Sequence, residues 1–338
     1  MTARLSAAER MNTPLPFHRL ARRYRSYRWW RPLLALVTTL GVWCAIVLVL
    51  GVAAVLVSLA APGLGVSLDE ALTAAGPGDL HDPATALVML LMLAAGLPAV
   101  LLGVRVGGWR PAGSVSSVVG RLRWGLLARC AAVAVVLHAV VNTVGLLVAP
   151  PGEAPEGLPG GVLDGGPLLT GQGLWLLLIA VLVVPFQAAA EEYAFRGLLM
   201  QAIGSWLRHP AWAILLPAPL FVLGHAYDWA GQTDILVFAL AAGWLTWRTG
   251  GLEAAIGLHV VGNCTVFALG AFGLADLNAT EIEPLAVVVS VGLTLAYTAI
   301  VARKRRWWSR DAGEHDGGGA HDGGRNTGAP ILPVCRTP

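Results

Sequence analysis

The sequence predicts an all-α protein, a polytopic transmembrane helix bundle of about eight spans. Three observations carry this. Hydrophobic residues make up 56% of the 338 and charged residues only 13%, against roughly 25% charged in a soluble domain. That balance leaves too few charges to coat a water-facing surface and puts most of the chain in lipid. Apolar segments recur at roughly 33–61, 84–104, 124–149, 172–190, 211–225, 234–248, 252–273 and 283–302. The charges between them alternate. With the N-terminus inside and eight crossings, the outside loops 62–83, 150–171, 226–233 and 274–282 hold acids such as Asp69, Asp79, Glu153, Asp228 and Asp276 but no Lys or Arg. The inside segments hold Arg105, Arg110, Arg121, Arg123, Arg196, Arg208, Arg248, Arg303, Lys304, Arg305 and Arg306. This is the positive-inside bias, so the reading is a multi-pass cell-membrane protein with both termini cytoplasmic.

Each region follows from its composition. Residues 1–32 form a basic arm, with Arg4, Arg10, Arg19, Arg22, Arg23, Arg25, Arg28 and Arg31 against the single acid Glu9. It is expected on the cytoplasmic side against anionic lipid. The apolar run from Leu33 to Ala61 is too long for a cleaved leader. It is long enough to cross a hydrocarbon core of roughly 30 Å with some tilt. Residues 33–150 are read as N-terminal transmembrane helices and 170–302 as a core. The fifth and sixth segments, 211–225 and 234–248, fall short of the roughly 20 residues of a simple span. They are expected to be tilted, buried in protein or re-entrant. Residues 303–338 are expected to be a disordered cytoplasmic tail, because their Gly-, Asp- and His-rich composition offers little apolar surface to offset chain entropy. Cys44, Cys130, Cys264 and Cys335 show no paired spacing and are read as reduced and structural. Membrane lipid is the expected partner, and nucleic acid is not expected.

Ionisable side chains inside a span cost from about 2.5 kcal/mol upward at the bilayer centre and mark function by default. Three groups stand out. Glu191 and Glu192 directly follow an apolar run, with Tyr193, Phe195 and Arg196 after them. On a helix Glu192 and Arg196 are i and i+4 with the acid first, the favourable order. Glu191 points about 100° away from its neighbour. So Arg196 can neutralise one carboxylate while the other faces a cavity. The bland alternative is a solvated helix end. Phe221 and His225 lie one turn apart in the short fifth segment, where Phe221 can fix the His225 ring by packing. His259 and Asn263 share one face of the seventh, flanked by Gly257 and Gly262, which allow close helix approach. Their bland alternative is an interhelical hydrogen bond that only holds the bundle. His138 and Asn142 have the same spacing but no acid nearby, and are read as structural.

Glu-Glu-x-x-x-Arg at 191–196, Phe-x-x-x-His at 221–225 and His-x-x-x-Asn at 259–263, in that order, resemble the type II CAAX prenyl proteases and bacteriocin-processing (Abi, or CPBP) intramembrane proteases. The resemblance covers roughly residues 170–273. Each motif alone is weak; the ordered set is specific. The resemblance implies an intramembrane glutamic endopeptidase acting on a hydrophobic peptide or protein. It implies that Glu191 activates water, His225 helps orient it, His259 and Asn263 stabilise the oxyanion, and Glu192 with Arg196 is a supporting ion pair.

The residue chemistry is consistent with that on its own terms. Hydrolysis of a peptide bond needs a base for water and donors aimed at the developing oxyanion. Desolvation makes a carboxylate a better base, and an Asn amide donates without transferring a proton. Two alternatives stay open. Glu191, His225 and His259 could instead bind zinc, since two His and a carboxylate form a known catalytic set, although no HExxH is present. Alternatively the chain is a non-catalytic immunity or binding protein, or a proton-coupled transporter, although no internal repeat is evident. No cofactor is expected on the favoured reading.

Overall fold

The computed structural model describes residues 15–24, 26–60, 78–109, 111–148 and 170–310. Among them the secondary structure is helical, apart from one isolated bridge between Ser117 and Gly251. The chain opens with a 3₁₀ turn, Phe17–Arg23. The helices are α1 Arg31–Ala60, α2 Pro83–Ala94, α3 Gly96–Val106, α4 Trp124–Val148, α5 Gly171–Leu182 and α6 Val184–Glu192. A π-helical turn, Tyr193–Leu199, leads into α7 Met200–Trp206. Then come α8 Pro210–Leu215, α9 Pro217–Leu223, α10 Trp229–Thr249, α11 Glu253–Ala271, α12 Pro284–Arg303 and α13 Arg305–Arg310.

Among the described residues six segments are long and apolar enough to cross a membrane: 31–60, 83–106, 124–148, 171–206, 253–271 and 284–303. This lowers the expected span count without changing the fold class. The fifth apolar segment is the short pair α8–α9, broken where Pro217 removes a backbone donor. The sixth lies within α10, which is 21 residues long. Gln232, Thr233 and Asp234 at its start dilute its apolar character.

The largest departure concerns α5 to α7. The apolar run ends at the glutamate pair, but the helical segment continues to Trp206. Glu191 therefore lies 191 − 171 = 20 residues from one end and 206 − 191 = 15 from the other, or roughly 30 Å and 22 Å along the helix. The pair is interior to the segment and not at its inner end. From Pro210 to His225 is also 225 − 210 = 15 residues, roughly 22 Å if helical throughout. The short α8–α9 arm follows the turn at 207–209 and sets His225 against Phe221, whose ring also lies 6.1 Å from that of His259.

α11 lies at the centre of the core, packed against α4, α5, α6 and α10. Gly257 makes this possible, because a Cβ there would meet Ala131 N at 3.0 Å and Cys130 Cβ at 3.2 Å on α4. Gly262 has no such close neighbour; its nearest is His138 Nε2 at 3.7 Å. α1 lies at the periphery on α3 and turns Val37, Leu40, Leu48, Val49 and Leu56 outward, the lipid-facing pattern of a span.

The connection between α3 and α4 is buried rather than a solvated loop. Trp109, Val115, Ser116 and Ser117 are all shielded. Ser116 O accepts from Leu252 N, and Gly250 O accepts from Val118 N. Gly250 closes α10 in the left-handed region at φ 72°, where Gly has no Cβ penalty. At this junction Arg123 Nε and Nη2 donate to the two carboxylate oxygens of Glu253, at 2.9 and 2.7 Å, and Arg123 Nη2 also reaches Thr249 O. Both side chains are almost wholly buried. The Glu253 carboxylate stands in the first turn of α11, where the helix dipole favours a negative charge. Glu253→Gln is expected to lower stability by about 3–5 kcal/mol, because Arg123 is left charged and buried. Denaturant titration of the purified protein in lipid nanodiscs reads this directly.

At the C-terminal end residues 305–310, expected to be disordered, are helical. α13 continues to Arg310, Trp308 is buried, and the Arg248 guanidinium lies 5.0 Å from its ring centroid. An apolar anchor and a cation–π contact hold this turn. The remainder of the tail, the arm before residue 15, Cys335 and most of the loops 62–83 and 150–171 lie outside the described residues. Cys44, Cys130 and Cys264 are free thiols.

Candidate active site

The site forms where α6, the π turn, α9, α10 and α11 meet. Helix α6 is set by two local features. Pro185 stands in its first turn, and the segment breaks at Val183, where φ is −114°. Downstream, the π turn follows Glu192 directly. Such widened turns are rare and cluster at functional sites.

Glu192 is the buried hub, with a fully buried side chain. Its Oε1 accepts from Arg196 Nη1 at 2.9 Å and is 2.8 Å from His259 Nδ1. The i, i+4 pair is formed and reaches across to α11 as well. Arg196 is held further by Ala239 O at 3.3 Å, and its guanidinium lies 4.3 Å from the Phe221 ring centroid and 5.4 Å from Phe238. Set against two rings, the guanidinium is fixed beneath the site as the cation facing Glu192.

Because a carboxylate only accepts, His259 Nδ1 carries a proton toward Glu192. Its Nε2 then faces Glu191 Oε2 at 3.6 Å. In a singly protonated ring Nε2 accepts a hydrogen bond; in a doubly protonated ring it donates. The ring is flanked by Phe238, with centroids 4.9 Å apart, and by Phe221 at 6.1 Å.

Glu191 is more open, with 17% of its side chain exposed. Its Oε1 accepts from Gln187 Nε2 at 2.6 Å. Its Oε2 is buried and accepts no hydrogen bond among the described residues. Asn263 Nδ2 donates to Gln187 Oε1 at 3.1 Å, which leaves its second amide hydrogen available.

His225 joins through rings. It lies 4.9 Å from Phe221 and 6.2 Å from Tyr227. Its Nδ1 donates to Phe221 O at 2.8 Å, so Nε2 bears the lone pair of the neutral ring. Tyr227 lies in the loop after α9. Burial raises its phenol above the usual range, and the carboxylates of Asp234 and Glu191 add to that.

Glu192, Arg196 and His259 therefore form one hydrogen-bonded network and Glu191, Gln187 and Asn263 another, the two meeting at the 3.6 Å approach of His259 Nε2 to Glu191 Oε2, with Phe221 and His225 against them. His138 and Asn142 bond carbonyls of their own helix, Ala134 O and His138 O. Reasoning from the sequence missed Gln187, Phe195 and Phe238. Gln187 stands four residues before Glu191 in an otherwise apolar stretch, the same spacing that links Glu192 to Arg196. Phe195 meets Phe221 edge-on at 5.0 Å. Phe238 has no local sign, because its place depends on how α10 packs.

Among the described residues no group of three His, Cys, Asp or Glu side chains is arranged to hold a metal ion.

Residues 171–265 match the family model described as type II CAAX prenyl endopeptidase Rce1-like. The chain is similar to an uncharacterized protein, YyaK, of Bacillus subtilis (strain 168). The two are 35% identical over 98 residues, which cover 27% of this chain and 32% of that protein. The chain thus spans about a third of the length of the curated relative it matches. No solved structure matches it.

Proposed function

Residues 171–265 carry a domain of the type II CAAX prenyl endopeptidase Rce1-like family, and from that premise we propose that this multi-pass membrane protein is an intramembrane endopeptidase. It hydrolyses a membrane-associated peptide or protein with water activated by Glu191. The observation that carries this reading is Glu191 Oε2, a buried carboxylate oxygen without a donor among the described residues, 3.6 Å from His259 Nε2. Two atoms at that spacing can both hydrogen-bond one water.

The water gives a proton to Glu191 Oε2 as its oxygen attacks the scissile carbonyl carbon. The carbonyl oxygen takes up the negative charge. The free N–H of Asn263 stabilises it, and so does His259 Nε2 when that ring carries both protons. The C–N bond then breaks, and the proton on Glu191 passes to the leaving amine. His225 Nε2 is free to accept from the water and orient it. Glu192 and Arg196 hold His259 and do not touch the reacting atoms.

The proposed route uses no metal ion. Extensive chelation of the purified protein is expected to leave its cleavage rate unchanged. Activity that disappears on chelation and returns with zinc would overturn this part of the reading.

The substrate class is tested in cells. Membrane fractions from a strain expressing the wild-type chain and one expressing Glu191→Gln are compared by quantitative proteomics. A membrane-anchored protein that stays uncut only in the variant strain is the expected result. Identical processing in both strains would reject the catalytic assignment.

A further inference from the structure

Gln187 is buried and only 4% exposed in the middle of an apolar helix. A buried amide must satisfy both its ends or pay for the loss of water. Other polar side chains in these helices turn to a carbonyl of their own helix, as Thr265 does to Val261 O and Thr298 to Thr294 O. Gln187 instead commits its donor to Glu191 on its own helix and its acceptor to Asn263 on α11. These are the proposed base and one of the proposed oxyanion donors.

We propose that Gln187 is a positioning residue that sets the orientation of both Glu191 and Asn263. The inference rests on the reading of Glu191 as the base. The 2.6 Å bond to Oε1 fixes the plane of the Glu191 carboxylate and leaves Oε2, on the side of His259, for water. At the other end, Gln187 Oε1 can only accept. It therefore requires Asn263 to present Nδ2 rather than Oδ1, and the second hydrogen on that nitrogen is left for the oxyanion. One side chain thus sets where the water is activated and how the amide donor is turned.

Two substitutions separate the two bonds. Gln187→Met keeps the length and loses both. Gln187→Glu keeps an acceptor for Asn263 but sets a second carboxylate against Glu191. Both proteins are purified in nanodiscs, with Glu191→Gln alongside. They are assayed on the internally quenched peptide that the wild-type protein cleaves fastest from a hydrophobic library. Misplacement of reacting groups by about an ångström costs on the order of a hundredfold. The expected result is a fall in kcat of about tenfold to a hundredfold for Gln187→Met, with KM within about twofold. Gln187→Glu should lose at least as much. The double variant Gln187→Met with Asn263→Ala should lose less than the product of the single losses, because the two residues act through one contact.

A readout without turnover accompanies this. The infrared carboxylate bands of Glu191, identified by difference from Glu191→Gln at one fixed pH, should shift in Gln187→Met. Three results would overturn the proposal. Unshifted bands would show that the contact does not hold the carboxylate. A wild-type kcat in Gln187→Met beside an inactive Glu191→Gln would remove the positioning role alone. Full activity in Glu191→Gln would remove the reading on which it rests.

Discussion

Glu191→Gln is expected to yield a folded membrane protein whose cleavage rate falls by about 10²- to 10⁴-fold, the usual contribution of a positioned general base. The variant keeps the length and shape of the side chain. It removes the oxygen that takes the proton, since an amide at this position can no longer accept it from water. Stability should barely move. Among the described residues the Glu191 side chain makes one hydrogen bond, to Gln187, and it is partly exposed. The introduced glutamine can present its own amide oxygen to Gln187 Nε2, so the change is limited to about 1 kcal/mol. The check is paired: peptide cleavage in nanodiscs, and a denaturation midpoint close to wild type. A dead protein with a collapsed midpoint would mean that Glu191 holds the fold rather than the reaction.

Arg196→Ala is expected to do the reverse, costing the fold first. Arg196 is almost wholly buried and is the cation paired with Glu192, whose side chain is fully buried. Removing one member of a buried pair leaves an uncompensated charge and costs about 3–5 kcal/mol. The guanidinium also fills the space against Phe221 and Phe238, so truncation opens a void there. Glu192 without its cation is a poorer anchor for His259, 2.8 Å away. The folded fraction should therefore lose activity as well. Arg196→Lys restores the charge but not the planar stacking or the second donor to Ala239 O. It should recover part of the stability and less of the activity. Thermal denaturation and cleavage measured on all three proteins test this. A wild-type midpoint for Arg196→Ala would reject the account of Glu192 as a hub held by this cation.

The two variants fail differently because neighbouring acids have been divided between two environments. Glu192 faces the protein interior, with both Arg196 and His259 on one of its oxygens. Glu191, one step around the helix, faces Gln187 and retains some exposure. The helical rotation of about 100° per residue was enough to foresee that the two would part. It did not identify which partner each would find on other helices.

Much of the fold could be read from composition and spacing. Low charge, recurring apolar runs and the sign of the charges between them require membrane helices, because backbone groups in lipid must bond within their own segment. The pair Glu192–Arg196 and the packing of Phe221 against His225 were legible too, since both depend on separations of four residues along the chain. The length of the segment carrying the glutamates was not. A hydropathy run stops at Glu191, but a buried carboxylate neutralised within one turn does not stop a helix, and this one continues to Trp206. The burial of the α3–α4 connection was also hidden, because Arg123 in isolation reads as a loop cation and its partner Glu253 is 130 residues away.

By itself, the sequence determined that polar groups are placed in apolar helices, and which of them are neighbours along one helix. Those facts follow from local geometry, which repeats every 3.6 residues whatever surrounds it. Only the tertiary structure decided that the hub is Glu192 with His259, that Gln187 links Glu191 to Asn263, and that Phe221 joins His225 to His259. Each of these is a contact between helices. It is fixed by packing at places such as Gly257 against Cys130, and no periodicity within a single helix encodes it.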